Sequence, residues 1–81
     1  MLKLKCIRAS IGTKRYPTRP SYNGVYNPNN YFINTGDVMN IIDMKIDGND
    51  VVCQIGGCFT NGIPTSVLNG RWFVYDGAYF E

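Results

Sequence analysis

Three carboxylates surround one predicted turn and are the first side chains with the potential for chemistry. Asp47-Gly48-Asn49-Asp50 is a typical turn sequence, and Asp43 has the same parity as Asp47 in the preceding strand. Neighbouring carboxylates can exchange protons or bind a cation, although this spacing matches an EF-hand loop only in part. We interpret the three acids as the solvated tip of a hairpin.

Other catalytic groups are missing from the sequence. It contains no histidine, which is the usual general base. The serines have no evident partner that would activate them as nucleophiles; they are Ser10, Ser21 and Ser66. We therefore predict no enzymatic activity, no catalytic residue and no cofactor.

The three cysteines, Cys6, Cys53 and Cys58, cannot all pair within one chain. With no histidine to complete a ligand set, they do not predict a metal site. A reducing compartment also disfavours disulfides. We predict three free thiols that pack as small apolar side chains.

Short strands are the elements that must position these groups. The 81 residues form one predicted domain, 1–81, and no window has the period of an amphipathic helix. Residues 2–7 alternate between apolar and basic side chains, which predicts a strand. Two further strands flank the turn at 47–50. Their predicted inward sides comprise Val38, Asn40, Ile42, Met44 and Ile46 in the first, and Val51, Cys53 and Ile55 in the second.

Charge is divided unequally along the chain. Residues 1–35 contain six basic side chains and no acid, whereas residues 36–81 contain all six acids and two bases. A small domain with this distribution orients its partners electrostatically, even though its net charge is only +2.

The long segment after the first strand interleaves cations with aromatic rings. Its predicted partner-binding residues are Lys14, Arg15, Tyr16, Arg19 and Tyr22. Such a mixture suits a protein interface, where Arg and Tyr are enriched. It also suits nucleic acid, since cations meet phosphates and rings stack on bases. An ordinary solvated loop is the third interpretation.

Aromatic residues crowd the C-terminal ten positions. We predict that Trp72 and Val74 face the core, and that Phe73 and Tyr75 face outward unless Tyr79 and Phe80 cover them. Phe73 and Tyr75, together with Asp47 and Asp50, are the secondary partner-binding candidates. The alternative is that this tail closes one end of the domain.

The order of the elements resembles the SH3-like barrel. Gly36-Asp37 opens a long strand, as a Gly-Asp pair does in that family, and residues 62–66 resemble its Gly-aromatic-Ile-Pro-Ser segment. The resemblance implies an all-β SH3-like barrel of about five strands, with a long loop after strand 1 and a 3₁₀ turn before the last strand. The polyproline groove is not carried over, because Val51-Val52 and Val67 replace its aromatic residues.

The opening Leu-Lys-Cys-Ile is also similar to small SH3-like proteins of phages and low-GC bacteria. The lack of a catalytic set, the divided charge and the aromatic-rich loop predict a non-catalytic protein that binds a host protein in the cytoplasm. The resemblance implies a phage origin, with a bacterial source as the alternative, and whether binding inhibits the host protein stays open. The alternatives are a nucleic-acid-binding barrel, and a small enzyme or a structural subunit of a larger assembly. No apolar run reaches ten residues and no secretory signal is visible, so we expect no membrane partner. The oligomeric state stays open.

Overall fold

The computed structural model describes residues 2–8, the main chain of residues 15–17, and residues 32–81. These residues form seven strands and no helix, so the all-β class is confirmed. No helix in this part of the chain is long and apolar enough to cross a membrane. The strands are β1 (Leu2–Lys5), β2 (Arg15–Pro17), β3 (Phe32–Asn34), β4 (Val38–Asp47), β5 (Asp50–Thr60), β6 (Ile63–Thr65) and β7 (Trp72–Val74).

Five strands make one antiparallel sheet in the order β1-β4-β5-β6, with β7 also paired to β5. The remaining two, β2 and β3, pair with each other in a second sheet. The segment after the first strand thus contains an antiparallel strand pair, and the residues between β2 and β3 lie outside the described part of the chain.

A tight turn starts β4 where the Gly36-Asp37 pair predicts it. Gly36 has a φ of 96°, a backbone conformation that residues with a Cβ rarely adopt. The Asp37 N–H donates to the Asn34 carbonyl at 3.0 Å, and the Asn34 N–H donates to Asp37 Oδ2 at 2.9 Å. The Thr60 hydroxyl donates to Asp37 Oδ1 at 2.9 Å. Asp37 is buried, and these two hydrogen bonds to its carboxylate offset the cost of that burial.

The β4–β5 hairpin closes through Gly48 and Asn49, as predicted, with Asp47 opposite Asp50. Its side-chain pattern differs from the prediction. Register shifts between Asn40 and Asp43 mark a β-bulge, which breaks the alternation along β4. Before the bulge, Met39 and Ile41 are buried, so the predicted inward placement of Val38 and Asn40 is wrong. After the bulge, Met44 and Ile46 lie on the predicted side, opposite Cys53 and Val51, but they are exposed, as is Ile42. Cys53 and Ile55 of β5 are buried as predicted.

The core lies against one side of the main sheet and is closed by the C-terminal segment. Lys5 and Glu81 exchange main-chain hydrogen bonds of 2.9 and 3.0 Å, and Cys6 pairs with Phe80. The ring of Phe80 packs on that of Phe73, with centroids 4.7 Å apart. The core cluster comprises Leu4, Cys6, Ile33, Met39, Ile41, Cys53, Ile55, Cys58, Leu68, Phe73 and Phe80.

The predicted 3₁₀ turn before the last strand is not what the chain forms. Ile63–Thr65 is the strand β6, with Pro64 opposite Phe59. Proline, which lacks an N–H, is tolerated there because β6 is the last strand in the sheet order of the described residues, so no donor is needed at position 64 for a further ladder. The tight turns come later, where Asn69 N–H donates to the Ser66 carbonyl and Arg71 N–H donates to that of Leu68.

Candidate interaction surface

The predicted binding loop falls mostly outside the described residues. Lys14, Arg19 and Tyr22 lie outside them. Arg15 and Tyr16 are placed by their main chain in β2, where they pair with β3. The partner-binding role of these five residues stays a prediction.

Among the secondary candidates, Phe73 is not a surface residue. Its side chain is only 2% exposed, because the ring of Phe80 covers it. The prediction that Phe73 faces outward is therefore wrong, and the alternative in which the tail covers it holds. Tyr75 is 37% exposed, and its ring centroid lies 6.4 Å from that of Phe80. Asp47 and Asp50 are both exposed beside the turn. These three can reach a partner.

Exposed apolar side chains continue the core face of the sheet to the end of the hairpin. Met44 lies opposite the buried Cys53, and Ile46 lies opposite Val51. Tyr75 joins the same row, since its N–H donates to the Val51 carbonyl at 2.7 Å. Ile46 is 72% exposed and Met44 is 49% exposed. We call Met44, Ile46, Val51 and Tyr75 the hairpin face.

Acidic side chains surround this end of the sheet. Asp43, Asp47, Asp50 and Asp76 are all exposed, and we call them the acidic rim. The Asp76 carboxylate accepts a hydrogen bond from the Ala78 N–H at 2.9 Å. Lys45 is the one cationic residue in β4, β5 and β7, and its ammonium lies 4.4 Å from the centroid of the Trp72 ring. That cation–π contact keeps the Lys45 charge over β7. Negative charge from the acids therefore dominates the edge of β4 that faces away from β5.

The outer edge of β4 is unpaired beyond Ile41 among the described residues. β1 occupies this edge only as far as Leu2, which lies opposite Ile41. From Asp43 to Asp47, β4 pairs with β5 on its other side. The Met44 N–H donates instead to the carboxylate of its own neighbour, Asp43, at 2.8 Å. A local side chain thus occupies a position where a further strand would bond.

The buried thiols show no sign of reactivity. Burial raises the pKa of Cys6 and of Cys53. Burial, with a smaller contribution from the nearby Asp37 carboxylate, raises the pKa of Cys58 to about 11. The thiolate is the nucleophile and the metal ligand, so these shifts disfavour both roles. Among the described residues, no group of three or more His, Cys, Asp or Glu side chains comes together as a metal site.

Sequence reasoning missed the hairpin face because it assigned Met44 and Ile46 to the core. A usable signal was present in the strand lengths. The turn at 48–49 makes β4 ten residues long, whereas β1 on its outer edge has four. One end of β4 must therefore extend past its neighbour, and the register of β1, which the sequence does not give, puts that overhang at the turn.

Comparison with protein-family models, with curated proteins and with solved structures finds no match to this chain.

Proposed function

We propose that this protein is a non-catalytic interaction protein that binds another protein. The observation that carries the proposal is the hairpin face. Met44 and Ile46 expose large apolar side chains on the side of the sheet that Val51 and Tyr75 share, and exposed acids flank them along the chain. An exposed apolar patch with a polar rim is the usual anatomy of a protein-binding site.

The basic and aromatic loop is the second part of this proposal. Arginine pairs with carboxylates and stacks on rings, so Arg15 and Arg19 suit an acidic partner. Together, the two surfaces would let the protein contact both acidic and basic parts of its partner. The SH3-like barrel, the phage origin, the cytoplasmic location and inhibition of a host protein belong to the same proposal. The strand order of β1, a long segment and then β4 to β7 is compatible with such a barrel.

Affinity capture from bacterial lysate, followed by titration of the captured protein, tests this proposal. We expect Arg15→Ala combined with Arg19→Ala to weaken binding by about 2 kcal/mol if both are central contacts. The matched control is Lys3→Ala combined with Lys5→Ala, which removes the same charge from exposed positions on β1. Equal weakening by both pairs would indicate general charge attraction and would remove the loop from the proposal.

Nucleic-acid binding is the competing function, because Lys3, Lys5 and Arg8 are all exposed near one edge of the main sheet. The salt concentration at which the protein elutes from heparin distinguishes protein binding from nucleic-acid binding. Early elution at low salt is expected for a protein-binding role, since the exposed acids repel a polyanion. Retention to high salt, together with loss of the captured protein after nuclease treatment, would favour nucleic acid instead.

A further inference from the structure

We propose that the outer edge of β4 from Asp43 to Asp47 binds an extended protein segment as an additional antiparallel strand. The segment would alternate apolar and basic side chains. This inference rests on the proposed function in that it supposes a protein partner, and it specifies a surface and a chemistry for that partner.

The main-chain groups at this edge point outward. Asp47 and Asp50 flank a two-residue turn, so they form a hydrogen-bonded pair, and the next pair, Ile46 and Val51, does not. The bond from Tyr75 N–H to the Val51 carbonyl agrees with this alternation, because Val51 directs its groups away from β4. By the same alternation, Met44 and Ile46 direct their N–H and C=O groups to the outer edge. A strand edge of this kind is a template for strand addition.

The side chains along the edge define the partner. Met44 and Ile46 lie on the apolar side and Asp43 and Asp47 on the other, since side chains alternate along a strand. Apolar partner residues would extend the hairpin face, and basic ones would lie beside the two acids. Lys45 does not cancel this preference, because its ammonium is held over the Trp72 ring.

The chain already contains such a pairing. β1 lies on the upstream half of this same edge, antiparallel to β4, and reads Leu-Lys-Leu-Lys. Its Leu4 is buried and its two lysines are exposed. The proposed segment would therefore repeat, on the downstream half, a chemistry that the upstream half accepts.

Asp43 controls access to the edge. Its carboxylate accepts the Met44 N–H, so an incoming strand must displace it before bonding there. A basic side chain placed beside Asp43 competes for that carboxylate and releases the N–H. Apolar segments without positive charge would therefore bind more weakly, which protects the edge from indiscriminate pairing.

The test uses the full chain, labelled with ¹⁵N, and a synthetic seven-residue peptide that alternates arginine and valine and has blocked ends. We expect the amide chemical shifts of residues 43–47 to change on peptide addition, and hydrogen exchange of the Ile46 amide to slow. Two peptides serve as controls: one with aspartate in place of arginine, and one with a central proline, which lacks the N–H that pairing needs. Both should bind at least about tenfold more weakly, since each loses charge attraction or ladder bonds.

Variants of the protein separate strand addition from simple attraction. Met44→Pro blocks the outer edge without removing a bond to β5, and Ile46→Lys places a repelling charge at a 72% exposed position. Each should weaken peptide binding about tenfold. Asp43→Asn should weaken it more than Asp76→Asn, which removes the same charge away from the edge. Retention of the ¹⁵N spectrum shows that each variant is folded. If Met44→Pro unfolds, the effect of Ile46→Lys on peptide binding alone tests whether the outer edge of β4 is the binding site.

The inference is overturned if binding survives both edge variants, if the proline peptide binds as well as the parent, or if no binding occurs at millimolar peptide. Concentration-dependent shifts of residues 43–47 without peptide would also overturn it, by showing a second copy of this chain as the occupant. None of these results would contradict binding of a partner through the basic and aromatic loop, because the Arg15→Ala with Arg19→Ala variant tests that binding separately.

Discussion

Two adjacent glycines in β5 should respond in opposite ways to the same substitution. A Cβ added at Gly56 would collide with Ile42 Cγ2 and lie 3.4 Å from Ile42 Cβ. A Cβ added at Gly57 would meet only Asn40 Nδ2, at 3.6 Å, which is ordinary contact. Neither glycine has a positive φ, so alanine is conformationally acceptable at both positions.

The change in the free energy of unfolding for each substitution follows from two effects. Replacing glycine by alanine at a compatible position stabilises a protein by about 0.5 kcal/mol, because the unfolded chain loses freedom. Overpacking costs about 1–3 kcal/mol, and Ile42 is more than half exposed, so it can partly rotate away. We therefore expect Gly56→Ala to lower the free energy of unfolding by about 1.5 kcal/mol and Gly57→Ala to raise it by about 0.5 kcal/mol.

Urea denaturation followed by the fluorescence of Trp72, the single tryptophan, measures both changes. Adding Ile42→Ala removes the colliding methyl group, so Gly56→Ala should be neutral or stabilising in that background. The coupling between the two substitutions should be about 2 kcal/mol. Equal effects of Gly56→Ala and Gly57→Ala, or no recovery with Ile42→Ala, would refute the packing assigned to this bulge.

Two other predictions concern the buried polar groups. Thr60→Val removes the hydroxyl that donates to Asp37 Oδ1 and should cost about 1–3 kcal/mol of unfolding free energy, whereas Thr60→Ser should retain most of it; equal stability of the two variants in urea would contradict this role. The Cys58 thiol has its pKa raised from 9.0 to about 11. Its burial as a neutral thiol therefore favours the folded state fully below pH 9, and this contribution, on the order of 2 kcal/mol, is lost as the pH rises from 9 to 11. Cys58→Ala should flatten the fall in stability over that range, and an unchanged slope in denaturation at a series of pH values would count against it.

The local signals in the sequence predicted local structure well. The Gly36-Asp37 pair marks the start of β4 because the turn needs a positive φ followed by a carboxylate that accepts the Asn34 N–H. The Asp47–Asp50 turn is equally local, and it placed two of the rim acids correctly at an exposed hairpin end.

Longer-range features were not available from the sequence pattern. A bulge at Ile42 shifts the alternation of β4 by one residue, so Met39 and Ile41 before it lie on the same side as Met44 and Ile46 after it, and a single uninterrupted alternation does not anticipate this. Alternation with Trp72 and Val74 predicts an outward Phe73, with cover by Tyr79 and Phe80 as the alternative. Phe73 lies opposite the buried Cys53 and under Phe80, which contacts of the tail with β1 bring there. The open edge near Met44 likewise depends on where β1 ends beside β4.

The position of Phe80 has a consequence for synthesis of the chain. Phe80 is almost fully buried, and the adjoining Glu81 is bonded to Lys5 of β1, which is synthesised long before it. A growing chain that stops short of residue 79 has no cover for Phe73 and no partner for the end of β1. We expect the domain to complete its folding only after residue 81 has left the ribosome. Until then, the nascent chain exposes its core to chaperones and proteases.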